Sequence, residues 1–267
     1  GKMKDLQPHE IDEKRKLLMK DAVVEITGLL QKAENLDPDV SVATDWINTV
    51  FQEAVDVSSA TRKEPDPVPT LQLPPKLSEV VIERLMGILG YAFAFEDGGL
   101  YYLSDVGTAL GFEPAALRTG LDRKFESLRD EFTKLLLQEL DATHRHWCAI
   151  IILKTILADG VIRPSEKAYF KVINTLTGDD PKTPAELIET AMKIEKIPDL
   201  NLDKEIVRIL MWHIVAIAMF DGEYVGQEAQ FIKETALALQ IDPTKIDEII
   251  QPVAATFMVI QSLFPMP

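Results

Sequence analysis

Apolar residues recur at three- and four-residue intervals along most of this sequence, and this spacing restricts its fold more than any other feature. Side chains at that spacing share one face of an α-helix, whereas a half-buried strand requires strict alternation of apolar and polar residues. No segment shows a convincing alternation of that kind. We therefore expect an all-α fold.

The same spacing, with the residues that interrupt it, predicts the individual helices. After residue 76 the predicted helices are 77–95, 101–110, 114–141, 143–157, 164–176, 184–195, 202–219, 226–239 and 244–263. Two of their starts carry capping signals: Thr183 and Glu186 can form a capping box around Pro184, and Asp242 precedes Pro243.

A proline-rich segment divides the sequence. The stretch TRKEPDPVPTLQLPPK contains five prolines, which exclude a helix or a central strand, and predicts a linker at 63–76. Before it, apolar spacing predicts a helical hairpin within 1–62. After it, 77–267 is predicted to be one helical domain, with its pattern clearest at 140–250.

The net charge of the chain restricts the classes of molecule that it can bind. The 28 basic and 43 acidic residues give a net charge of -15, which repels nucleic acids and anionic membranes and attracts cations or basic proteins. The longest apolar stretches, WCAIII and MWHIVAIAMF, are shorter than the roughly 20 residues that cross a bilayer. The charged opening GKMKDLQPHEIDEKRK lacks the apolar region of a signal peptide, so we expect a cytoplasmic protein.

An Asp-Gly turn occurs twice in similar surroundings. Asp159 and Asp221 each follow an apolar helical stretch, and each precedes a glutamate, Glu166 or Glu228, by seven residues. A weaker copy at Asp97, without that glutamate, lies 62 residues before Asp159, the same interval that separates Asp159 from Asp221. A fixed interval of this length is typical of repeated helix-turn-helix units.

The spacing of aspartate and glutamate also matches the second half of an EF-hand calcium loop. The first half does not match, because its opening ligand positions are Thr155 and Leu157 in one copy and Ile217 and Met219 in the other. An isolated EF-hand is therefore excluded. A hard cation takes six or more oxygens and one turn offers two carboxylates, so a cation site requires the two turns to meet.

The sequences AIIILKTILADGVIRPSEKAYFKVINTLTG and MWHIVAIAMFDGEYVGQEAQFIKETALALQID resemble the tellurite-resistance TerB-like family, over about residues 140–250. The resemblance implies a bundle of Asp-Gly helix pairs that acts as a non-enzymatic binding or scaffold module. It further implies a protein partner and an association with stress response and membrane-linked assemblies. Its implied calcium or magnesium ligands are Asp159, Glu166, Asp221 and Glu228.

Helix capping is the competing explanation of these acids. A glycine just after a helix favours the left-handed conformation, and an aspartate just before that glycine can form hydrogen bonds with nearby backbone. A glutamate in the first turn of the following helix is favoured by the helix dipole. Arg163 and Pro164 in one copy, and Val225 and Gly226 in the other, stand where TerB-like relatives usually carry more acidic or polar residues. Capping and cation binding both remain open at this point.

Residues 103–125 offer an alternative function, a DNA-binding helix-turn-helix with Arg118, Arg123 and Lys124 on its second helix. Interleaved acidic residues and the net charge oppose phosphate contact, so we expect no nucleic acid partner. A purely structural interaction domain without a ligand is a third possibility.

We expect no enzyme and no catalytic residue. The sequence lacks a glycine-rich phosphate loop, a His-Glu-x-x-His motif and a nucleophile elbow. His213, among apolar residues, is expected to be a hydrogen-bonded core residue, and His144 and His146 to have surface or capping roles. Cys148, the single cysteine, is expected to be a small buried hydrophobe.

Overall fold

The computed structural model describes residues 17, 20–21, 24–28, 79–84, 86–87, 97–163, 166–178, 183–219 and 226–265. The regular structure of these residues is helical, and no strand occurs among them. The predicted all-α fold is therefore confirmed. The predicted linker at 63–76 and most of the predicted hairpin at 1–62 lie outside the described residues.

Between residues 97 and 265 the structure describes eight α-helices and one short 3-10 helix, Pro243–Lys245. The α-helices are α1 Asp97–Ala109, α2 Pro114–Glu139, α3 Ala142–Leu157, α4 Ala168–Leu176, α5 Pro184–Lys193, α6 Lys204–Met219, α7 Gln227–Ala238 and α8 Ile246–Leu263. Their positions follow the predicted ones, with the largest differences at the starts of α1 and α4. Asp97 lies in the first helical turn of α1, whereas the weaker repeat predicted a turn there.

The chain divides into two compact units, residues 1–124 with 259–267 and residues 125–258. In the first unit, α1 and the start of α2 form a helix-turn-helix whose turn contains Gly111 at φ 87°. A Cβ atom added to Gly107 would lie 2.7 Å from a methyl carbon of Leu117, so glycine permits the close approach of these two helices.

The second unit is built around α3, which contacts α4, α5, α6 and α7. Eight residues of α3 and eleven of α6 are buried, consistent with the apolar character of both helices around most of their circumference. Cys148 lies in this core, as predicted, and its burial raises the pKa of the thiol to about 12.

Local capping signals are correctly predicted. Thr183 Oγ1 accepts a hydrogen bond from the Glu186 backbone N–H at 3.3 Å, and Glu186 Oε2 accepts one from the Thr183 N–H at 3.0 Å. Asp242 caps the 3-10 helix that leads into α8. Asp141 caps α3 by accepting the His144 backbone N–H at 2.9 Å, and the His144 Nδ1 lies 2.8 Å from the same carboxylate oxygen.

No sequence signal predicts the lysine cap at the end of α5. Lys154 Nζ, on α3, donates hydrogen bonds to the carbonyl oxygens of Ala191 at 3.2 Å and Ile194 at 2.6 Å. A cation at a helix C-terminus satisfies carbonyls that have no partner inside the helix. Partial burial lowers the pKa of Lys154, while the nearby charge of Glu234 acts in the opposite direction.

Candidate functional site at the acidic turns

The first acidic turn follows α3 directly. Gly160 adopts a left-handed conformation at φ 76°, as the capping explanation predicts. Asp159 Oδ1 accepts a hydrogen bond from the backbone N–H of Val161 at 3.0 Å. Because this bond closes a local turn at the end of α3, part of the Asp159 carboxylate has a structural role.

Arg163 supplies a positive charge to the same turn. Its Nη1 lies 2.5 Å from Asp159 Oδ2 and 3.6 Å from Glu166 Oε1. Glu166 is only 2% exposed, and its Oε1 also accepts the backbone N–H of Arg163 at 2.9 Å. The guanidinium of Arg163 therefore already compensates the two carboxylates of this turn.

Glu228 brings a carboxyl group from the other Asp-Gly helix pair to this site. It lies in the first turn of α7, after Gly226 at φ 64°, and is 7% exposed. Its side chain is hydrogen-bonded to that of Asp159. Carboxyl groups from both Asp-Gly helix pairs therefore meet at this point.

The environment of Asp159 favours its ionised form. Burial alone would raise the pKa of this carboxyl group. Hydrogen bonds from Arg163 and from the Val161 N–H, the charge of Arg163 and the hydrogen bond with Glu228 outweigh burial, and the pKa of Asp159 is lowered. The site therefore combines a carboxylate, a guanidinium and a second carboxyl group in contact.

Two of the four predicted cation ligands, Asp159 and Glu228, are thus in direct contact, and Glu166 is linked to Asp159 through Arg163. Asp221 lies outside the described residues. Within the part of the chain that the structure describes, no group of three or more His, Cys, Asp or Glu side chains is placed to hold a metal ion. The cation site stays a prediction.

His213 is a hydrogen-bonded core residue, as predicted. It is 3% exposed, its Nδ1 lies 2.6 Å from Tyr169 Oη, and the ring of Phe132 stacks on it at a centroid distance of 4.2 Å. Burial, with a smaller effect from the charge of Arg129, lowers the pKa of His213 to about 3. Burial raises the pKa of the Tyr169 hydroxyl. Both groups are therefore neutral at physiological pH.

In the helix-turn-helix at 103–125, one of the three basic residues predicted to contact DNA is not accessible. Arg118 is 5% exposed, and its Nη1 donates to the carbonyl oxygen of Phe264 at 2.8 Å. Its Nε donates to Asp122 Oδ1 at 3.1 Å. Arg123 is exposed and Lys124 is half-buried. Arg118 thus caps the end of α8 and does not lie on a free basic face.

No protein-family model, curated protein or solved structure matches this chain. The TerB-like resemblance therefore rests on the two Asp-Gly segments quoted above. None of the helices that the structure describes is both long enough and apolar enough to span a membrane.

Proposed function

We propose that this chain is a non-enzymatic helical binding or scaffold module of the TerB-like kind, in which a divalent cation acts at the paired acidic turns. The observation that carries the proposal is the hydrogen bond between the Asp159 and Glu228 side chains. A cation shared by the two Asp-Gly helix pairs requires carboxyl groups from both pairs to approach each other, and these two do.

The candidate ligands are Asp159, Glu166, Asp221 and Glu228. Of the three that the structure describes, Asp159 and Glu228 meet directly, and Glu166 is linked to Asp159 through Arg163. Carboxylate oxygens are hard ligands that suit calcium or magnesium better than zinc. A bound cation would compete with the guanidinium of Arg163 for the carboxylates of Asp159 and Glu166. Binding should therefore be weakened by Arg163.

The proposed consequence is mechanical. α3 with α4, and α6 with α7, are the helix pairs that flank the two turns. A cation held by carboxylates from both pairs would fix the angle between them and so alter the surface offered to a protein partner. The TerB-like resemblance extends this proposal to stress-response and membrane-linked assemblies.

Regulatory DNA binding through residues 103–125 has less support. Arg118 is buried against Phe264 and Asp122, which leaves Arg123 and Lys124 as the remaining bases of the predicted reading helix. With a net charge of -15, two bases give little compensation for repulsion of the phosphate backbone. A fluorescent duplex that binds the protein with a steep salt dependence would favour this alternative.

Titration calorimetry on metal-stripped protein tests the proposal. Calcium or magnesium should bind the wild type with a measurable heat. An Asp159→Asn, Glu228→Gln double variant should lose this binding while keeping its helical circular dichroism.

A Glu139→Gln, Glu248→Gln variant removes the same charge from exposed positions and serves as the matched control; its binding should equal that of the wild type. Absence of heat at millimolar calcium and magnesium would overturn the cation proposal and leave a ligand-free scaffold. Equal loss of binding in both double variants would mean that cations bind through the net negative charge of the protein and not at the acidic turns.

A further inference from the structure

We draw no further inference here: the strongest candidate, the half-buried guanidinium of Arg129 on α2 that lies over the Tyr169 ring, is a single cation on one aromatic face, and nothing among the described residues shows what it would bind.

Discussion

The side chain of Asp159, on the turn after α3, is hydrogen-bonded to the side chain of Glu228 in the first turn of α7. This contact joins two helix pairs that are distant in sequence. Two adjacent carboxylates repel each other when both are ionised, so positive charge near the contact should stabilise it. Arg163 compensates Asp159 from the other side, at 2.5 Å. The stability contributed by the contact between Asp159 and Glu228 should therefore depend on each of these charges.

Replacing Arg163 by glutamine should destabilise the protein by about 1–3 kcal/mol, because the buried Glu166 and the partly buried Asp159 lose their positive partner. If a cation binds at this site, added calcium should restore more stability to Arg163→Gln than to the wild type. Urea unfolding with and without calcium measures both effects. Arg208→Gln, which removes an exposed ion pair with Glu205, is the control and should change stability by at most about 1 kcal/mol. Equal losses in the two variants would contradict a special role for Arg163.

His213 should make folding stability depend on pH. Its pKa is about 3 in the folded protein and about 6.5 when unfolded, so the unfolded chain binds the extra proton between these values. The stability contributed by the neutral imidazole is complete above pH 6.5 and is lost progressively as the pH falls towards 3. Between pH 7 and pH 5 the resulting loss in the free energy of unfolding is about 2 kcal/mol.

A His213→Gln variant should lack this part of the pH dependence in chemical denaturation. Tyr169→Phe removes the hydrogen-bond partner of His213 but keeps the buried imidazole, so it should be less stable and retain the pH dependence. If the unfolding free energy of His213→Gln still falls with decreasing pH as in the wild type, another group causes the loss of stability at low pH.

The capping box of α5 should contribute measurably to stability. Thr183→Ala removes the oxygen that accepts the Glu186 N–H and should cost about 1 kcal/mol. Glu186→Gln keeps an acceptor for the Thr183 N–H and should have a smaller effect. Thermal unfolding of the two variants compares them directly; a larger loss in Glu186→Gln would point to charge at the helix start as the dominant contribution.

Lys154 should anchor the C-terminal end of α5. Lys154→Met keeps most of the aliphatic side chain and removes the ammonium group that bonds the Ala191 and Ile194 carbonyls, at a cost of about 1–2 kcal/mol. Hydrogen exchange should accelerate at the last turn of α5 in this variant. Lys193→Met, at an exposed lysine paired with Glu189, is the control and should leave exchange nearly unchanged. Unaltered protection in Lys154→Met would contradict the anchoring role.

Much of the fold is predictable because helices and caps depend on residues close in sequence. The capping box at Thr183 and the left-handed Gly160 follow from local rules. The start of α1 cannot be predicted from such local rules. Gly98 and Gly99 have low helix propensity, yet both are helical in their tertiary context.

The candidate site is only partly predictable. The sequence provides the acids at Asp159 and Glu228, but their contact depends on how α7 packs against α3 and α6. In the sequence, Arg163 is only a departure from the TerB-like pattern. Its pairing with Asp159 forms in a turn, where the four-residue spacing rule for helix side chains does not apply.

A double-mutant cycle on Asp159 and Glu228 tests most directly whether the two turns act as one unit. Unfolding free energies are measured for the wild type, Asp159→Ala, Glu228→Ala and the double variant in chelator-treated buffer. We predict that the double variant loses at least about 1 kcal/mol less than the sum of the single losses. Asp159→Ala combined with Glu234→Ala, at an exposed position on α7, should be additive. Additivity within about 0.5 kcal/mol for Asp159 and Glu228 would contradict the coupling of the two turns.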